Sequence, residues 1–307
     1  MTMRFGVSPI AWMNDDMPEL GGDTSVETVL ADAAAIGFSG IELGGRFPRQ
    51  AGELAPLMAR YRLDLIGGWW SMRLLTRSGA AEIAAMRRHL DLLEALGAPV
   101  FIAAECSDAI HGDRTRPLAD APRLSARDWP LFGERVSAVA AHVETRGLKF
   151  AYHPHLGTVV ERAEDLELFM THTAAHVGLV ADTGHLALGG VDAVSLIRRH
   201  PGRIAHVHAK DVRGPVFERI LRERGSFLDG VVAGMFTAPG DGDLDFGPVM
   251  RALADTAYEG WIVIEAEQDP KIADPRTYSR LGLATLKQAA GAAGVIPAAA
   301  AAEYRPW

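Results

Sequence analysis

Four short apolar runs in this chain each stop on a side chain that can bind a metal. They read Phe-Ala-Tyr-His153, Gly-Leu-Val-Ala-Asp182, Ala-His-Val-His208 and Trp-Ile-Val-Ile-Glu265. The stops fall 29, 26 and 57 positions apart, the spacing of successive strand-helix units and not of a local loop. In a closed parallel barrel the C-terminal ends of all strands meet on one face, where catalytic groups collect. Four ligand-type side chains meeting there describe a cage of two imidazoles and two carboxylates, which suits a divalent ion of borderline hardness.

The rest of the chain supports the alternation this requires. Strand patterns cover 4–8, 40–43, 63–69, 100–105, 149–153, 177–182, 204–208 and 261–265. Between them lie helical patterns. One runs from Ser25, an N-cap candidate, to Ile36, with Glu27 in its first turn and Gly37 at its C-cap. Others span 80–96 and 125–146 and stop at Gly97 and Gly147. Repeated strand-helix units imply parallel strands with right-handed crossovers. A chain of 307 residues fits one large barrel or two ordinary domains, and no linker divides it before residue 294. The expectation is therefore a single α/β (β/α)8 TIM barrel over 1–294. The tail over 295–307, alanine-rich from Pro297, reads as poorly tied down or as a helical docking arm. The regions 107–124 and 211–247 read as irregular loops that overhang the catalytic face and serve as lids.

Charge and composition remove several function classes. A net charge of -8 opposes a nucleic-acid partner, which needs a basic face. No stretch approaches 18 uninterrupted apolar residues, so no membrane span is expected. The N-terminus enters a strand pattern at once and lacks a signal core, so a cytoplasmic location is expected. The single cysteine, Cys106, excludes an internal disulfide and fits a reducing compartment; it reads as a small buried side chain.

Further chemistry clusters around the four stops. His206, His208 and Lys210 alternate with a period of two, so all three face one side of a strand, and stacking them toward a barrel axis is costly unless they bind something. Glu265 and Glu267 share a face, as do His153 and His155. Of each pair the deeper residue is the ligand candidate, and Glu267 and His155 remain for proton transfer or substrate contact. His185 follows Asp182 closely enough to face the same site. Trp69 and Trp70 follow the third strand, and Trp69 reads either as an apolar wall for a sugar-like ring, and so a substrate contact, or as a core side chain. Glu105, His206 and Arg213 are the other substrate-contact candidates. The acidic segment from Pro239 to Phe246 lacks EF-hand spacing and reads as a turn that caps the helix starting at Phe246. The Gly-Gly pairs at 44–45 and 67–68 lack dinucleotide-binding spacing.

This pattern resembles the sugar isomerase and epimerase barrels of the xylose isomerase-like superfamily, which place Glu, Asp, His and Glu at the ends of strands five to eight. Asp182, His208 and Glu265 match the last three, while His153 stands where most members have Glu. That departure is similar to the inosose dehydratase family, as are Tyr-His-Pro-His-Leu-Gly-Thr, the segment from Gly234 to Phe246 and the segment from Gly260 to Pro270. The resemblance covers about residues 4–290. It implies loss of water from 2-keto-myo-inositol to give a trihydroxycyclohexanedione in inositol breakdown. It also implies manganese or cobalt, with zinc or magnesium as alternatives, and glutathione, for which no residue here marks a site.

The residues agree with that chemistry. A cation that holds a ketone oxygen acidifies the neighbouring C–H. His185, His155 and Glu267 are the available acids or bases, in an order the sequence leaves open, and Lys210 can support developing negative charge. The partner is a small polyhydroxylated ketone; a homo-oligomer is compatible with the chain but not specified by it. The alternative is a ketose epimerase or sugar isomerase that uses the same enolate and returns the proton. A nucleic-acid repair barrel needs more zinc ligands and a basic surface, and a catalytically inert barrel has no use for the four-ligand set.

Overall fold

The computed structural model describes residues 3–295. Eight parallel strands close into a barrel: β1 (Met3–Val7), β2 (Gly40–Leu43), β3 (Asp64–Met72), β4 (Val100–Glu105), β5 (Lys149–Tyr152), β6 (Gly178–Asp182), β7 (Ile204–Ala209) and β10 (Gly260–Ile264). Two short strands, β8 (Asp211–Val212) and β9 (Phe236–Thr237), pair antiparallel as a ribbon between β7 and β10. Closure is made by β10 against β1, in register from Met3 with Gly260 to Val7 with Ile264. All eight strand patterns in the sequence form barrel strands, with ends shifted by a few residues. The tail over 296–307 lies outside the described residues.

Helix ends follow local chemistry. The Ser25 side chain accepts from the Thr28 N–H to start the helix Val26–Ile36, and Gly37, at φ 102°, ends it in the left-handed region where a Cβ is penalised. The closing helix, Pro275–Ala292, starts on Asp274, whose carboxylate accepts from the Thr277 N–H.

Strand alternation sorts the apolar residues into two layers. Outward residues such as Phe5, Ile41, Phe101, Phe150, Leu179, Val207 and Ile262 join the helices in one large core. Inward residues fill the lower barrel: Ile66, Trp261 and Val263 on one side, Val100, Ile102, Ala151 and Val180 on the other. An eight-stranded barrel has room only for such side chains, so its axis is packed and not a pore.

Above the strand ends the chain builds a third, smaller core. Met17 and Leu20 from the β1 loop, Leu118 from the β4 loop and Leu156 from the β5 loop meet Val212, Phe227, Val231 and Phe236. The two expected lids are tied together there, through the Leu118 N–H to Gly225 O at 2.8 Å and a bridge between Pro117 and Ser226. The expectation of an irregular 211–247 is corrected. That segment holds the ribbon and two helices, Gly214–Arg222 and Phe227–Val232. Its period was hidden because both helices are short and turn their apolar faces toward a local cluster rather than toward the barrel. The acidic turn closes as read: Asp245 accepts from the Gly247 N–H and caps the helix Phe246–Asp255. The turn is drawn in by Asp211, whose carboxylate accepts from the N–H groups of Gly240, Gly242 and Leu244.

Candidate metal centre and active-site cavity

Asp182 is the last residue of β6 and His208 the penultimate residue of β7. His153 and Glu265 each sit one position beyond β5 and β10. All four are buried, and one donor atom from each lies within 4.8 Å of the others. Three details bear on whether these atoms could hold a cation. Asp182 spends Oδ1 on the N–H groups of Gly184 and His185, at 2.9 and 2.8 Å, leaving Oδ2 buried without a hydrogen-bond partner. His153 holds Pro154 O through Nδ1 at 2.8 Å, which turns the Nε2 lone pair toward Asp182 Oδ2, 3.5 Å away. His208 Nδ1 lies against the Glu265 carboxylate and 3.4 Å from Asp182 Oδ2, without hydrogen-bond geometry to any group. Orphaned buried donors and acceptors are costly, and a divalent ion satisfies all of them at once. Two nitrogens and two oxygens fit such an ion well.

The electrostatics point the same way. Burial disfavours the charged form of His208, yet Glu265 and Glu42 hold its pKa well above the usual imidazole range. Burial raises the Asp182 and Glu265 pKa values, but Lys210, His153 and His208 overcome this and leave both carboxyls ionised. A cation held here would displace a proton from His208, which would make its affinity depend on pH.

A second layer orients the first. Glu42, in β2, accepts through Oε1 from His206 Nε2 at 2.8 Å and from His208 Nε2 at 2.9 Å. Burial raises its pKa, but the two imidazoles outweigh that and bring it to about 2. A carboxylate behind a ligating imidazole fixes its tautomer and ring orientation. Here it commits Nε2 of His208 and leaves Nδ1 for the cage. Sequence reading missed Glu42. The signal was present: a carboxylate inside the buried four-residue strand Gly-Ile-Glu-Leu, at inward parity.

Lys210 and His185 flank the cage beneath the small upper core. Lys210 Nζ lies 2.8 Å from Glu265 Oε1, 3.8 Å from Asp182 Oδ2, 3.7 Å from Glu267 Oε2 and 4.5 Å from the centre of the Phe236 ring. Burial works to discharge it, but Glu265, Asp182 and Glu267 keep it an ammonium. Its alkyl chain crosses Gly184, where a Cβ would stand 2.8 Å from Cγ. His185 accepts from the Leu156 N–H at 3.2 Å, approaches Lys210 Nζ at 3.0 Å and is covered by Phe227, stacked at 6.0 Å and 12°. Burial, with His155 and Lys210 nearby, pushes its pKa well below the usual value.

The cavity over the cage opens on the other side. Its walls include Ser8, Ile10, Asp16, Glu42, Trp69 and His111, and it reaches His153, His155, His208, Glu265 and Glu267. Trp69 stands edge-on to His153 and His155, 5.6 Å from each. His155 donates Nδ1–H to Leu156 O at 2.8 Å; burial, then His111 and His153, keeps the ring neutral. Glu267 takes a hydrogen bond from Asn14 Nδ2 at 3.3 Å, and burial raises its pKa to about 8 against the pull of Lys210. Asn14 and His111 were not read from the sequence, because both stand in loops with no periodic context.

Three expected substrate contacts do not reach this cavity. Glu105 turns sideways to accept from the N–H groups of Leu74 at 2.6 Å and Ser107 at 2.8 Å, shaping the loops after β3 and β4. His206 lies fully buried behind Glu42. Arg213 is held inside the ribbon segment by Gly234 O, Thr237 Oγ1 and Asp241. Each finds its partners in the protein before it reaches the pocket. Cys106 is half-buried, and burial pushes its thiol up to about 12, away from a nucleophile's range.

Residues 30–289 match the family described as the xylose isomerase-like TIM barrel. A rhizopine catabolism protein, MocC, from Rhizobium meliloti is 43% identical over 96% of this chain and 90% of its own length. An inosose dehydratase from Clostridium perfringens is 37% identical over 90% of this chain and 94% of its own length. Among solved structures, an L-ribulose 3-epimerase superposes with a TM-score of 0.68 at 17% identity, covering 96% of each chain, a likeness of fold. No helix among the described residues is long and apolar enough to cross a membrane.

Proposed function

The chain belongs to the xylose isomerase-like TIM barrel family, and from that premise we propose that it is a hydro-lyase removing water from an inosose, a polyhydroxylated cyclic ketone of inositol breakdown. The observation that carries this reading is the similarity to inosose dehydratases over most of both chains, combined with a cation cage beside a cavity with two proton-handling groups. His153, Asp182, His208 and Glu265 are the proposed ligands. A divalent cation held there supplies the positive charge that stabilises an enolate. The mixed nitrogen and oxygen donors favour manganese, cobalt or zinc over magnesium.

This chain's own groups then divide the proton work. Glu267 and His155 both line the cavity, one from the loop after β10 and one from the loop after β5. One takes the proton as the C–H bond beside the ketone breaks. The other gives a proton to the β-hydroxyl as its C–O bond breaks, so water leaves and an enol remains, which tautomerises to the dione. Lys210 stays charged beside Glu265 and Glu267, where it offsets negative charge that develops in the cavity. His185 packs beside Lys210 beneath Phe227, set back from the residues that line the cavity. Trp69 closes one wall against the apolar face of the ring. The domain assignment, one barrel with a tail, and a cytoplasmic location complete the reading.

Mass spectrometry of the product from 2-keto-myo-inositol and manganese- or cobalt-loaded protein tests the function. Loss of one water is expected. An unchanged mass with altered stereochemistry would instead make the protein an epimerase or isomerase. Adding and withholding glutathione in the same assay tests the requirement that the family resemblance implies.

A further inference from the structure

We propose that Asp16 is a specificity-determining residue, whose carboxylate accepts hydrogen bonds from ring hydroxyls of the substrate at the cavity rim and disfavours anionic ligands of the same shape. This inference rests on the cyclic polyol ketone reading above and adds to it a residue and a charge rule.

Asp16 comes from the loop after β1. It lines the cavity and is exposed, so a ligand held there can reach it. The backbone beneath it is fixed. Buried Asn14 accepts through Oδ1 from the N–H groups of Asp16 and Met17, each at 2.8 Å. Asp15 accepts from the Gly45 N–H through both carboxylate oxygens, at 3.0 and 2.8 Å, and a Cβ on Gly45 would stand 2.4 Å from Oδ1. Met17 is buried in the small upper core. The neighbours on both sides are thereby anchored, whereas the Asp16 carboxylate has no hydrogen-bond or ion-pair partner among the described residues. Its charge is nevertheless felt across the cavity. Burial lowers the pKa of His111, and Asp16 is the charge that most opposes this. Burial raises the pKa of Glu267, Lys210 lowers it, and Asp16 raises it again.

A carboxylate only accepts, and its two oxygens present about four lone-pair sites. Hydroxyls on neighbouring ring carbons can donate to it together, and hydrogen bonds to a charged acceptor are stronger than neutral ones. The rest of the wall repeats the preference. Glu42, Glu265 and Glu267 also line the cavity, and no lysine or arginine does so among the described residues. Lys210 is fully buried and paired with Glu265, and Arg49, near the rim, donates to Gly44 O and Gly45 O at 3.1 and 2.9 Å. With the cage side taken by the ketone, a phosphate or carboxylate on the ring would face Asp16 with no cation on the wall to offset the repulsion. The rim therefore selects a ring that offers O–H donors and carries no negative charge.

The test compares two unreactive ring ligands on metal-loaded wild type and Asp16→Asn. One is myo-inositol, which keeps the hydroxyls but has no ketone; the other is a myo-inositol monophosphate. Asparagine keeps the size of the side chain and removes its charge, and metal content and thermal midpoint serve as folding controls. Calorimetry should show myo-inositol binding weakened by about 10-fold, with monophosphate binding unchanged or tighter. In turnover of the parent ketone, KM should rise by about 10-fold while kcat stays within about threefold. Asp16→Glu, which keeps the charge, should recover part of the loss. A loop that was merely disturbed would weaken both ligands together. Parallel losses for the two ligands, or unchanged binding of myo-inositol, would overturn the proposal and leave Asp16 a solvated surface carboxylate. Neither ring ligand needs turnover. Failure of wild type to dehydrate the ketone would therefore count against the proposed function, while the ratio of the two affinities still decides the role of Asp16.

Discussion

The two ends of the barrel interior obey opposite rules. The lower end is packed by Trp261, Ile66 and Val263, and glycine is required where the indole passes: a Cβ on Gly40 would stand 2.6 Å from that ring. Arg4 lies over the outer face of the indole at 4.0 Å and reaches Asp64 at 3.1 Å. The upper end buries Glu42, His153, Asp182, His208, Lys210 and Glu265 within one connected network and leaves some of their atoms unmatched. Apolar packing stabilises the fold; a half-satisfied polar network does not, and it persists where it binds something. The two ends therefore separate stability from chemistry along a single axis, and mutations at each should affect different observables.

The largest effect is expected at the top. Asp182→Asn keeps the Oδ1 cap on Gly184 and His185 but removes the charge on Oδ2. Turnover should fall to about a thousandth or less, with metal lost and the fold retained. Full metal occupancy, by elemental analysis, in both Asp182→Asn and Glu265→Gln would break the proposed cage. The counterpart at the bottom is Trp261→Ala. It should cost about 3–5 kcal/mol of stability in denaturant unfolding, while turnover per folded molecule stays within about twofold. A large loss of turnover in folded Trp261→Ala protein would erase the separation between the two ends.

A smaller effect tests the layer between them. Glu42→Gln removes the charge that orients His208 and should weaken metal affinity by about 10- to 100-fold with little change in stability. Unaltered affinity in a competition titration would show that the two hydrogen bonds to Glu42 do not tune the cage. The smallest effect lies outside the barrel wall. His89 approaches Gly68 O at 3.3 Å, and burial lowers its pKa from 6.5 to about 4. In that interval the unfolded chain binds more protons than the folded one. The contribution of neutral His89 is therefore complete above pH 6.5 and is lost as pH falls toward 4. His89→Phe should flatten the stability profile of metal-free protein in that window by about 1–2 kcal/mol. An identical slope in the variant would assign the acid sensitivity elsewhere.

Much of this architecture is legible in the sequence because it depends on local periodicity. Period-two apolar runs, caps such as Ser25 and Gly37, and ligands one residue from a strand end are all properties of short segments. In a closed barrel these place the strands, and the parity of His206, His208 and Lys210 follows. What the sequence does not decide is which inward polar group meets which. Glu105, His206 and Arg213 look like substrate contacts in isolation, yet each is taken by protein partners that only the closed barrel and its upper core bring near. Glu42, Asn14 and His111 look unremarked in a strand or loop, yet closure brings them to the cage and its cavity. The physical reason is range. Strand and helix patterns are set by neighbours a few residues away, whereas the partner of a buried charge is chosen among groups as far apart in the chain as Asn14 and Glu267, and by whichever hydrogen bond leaves the fewest atoms unmatched.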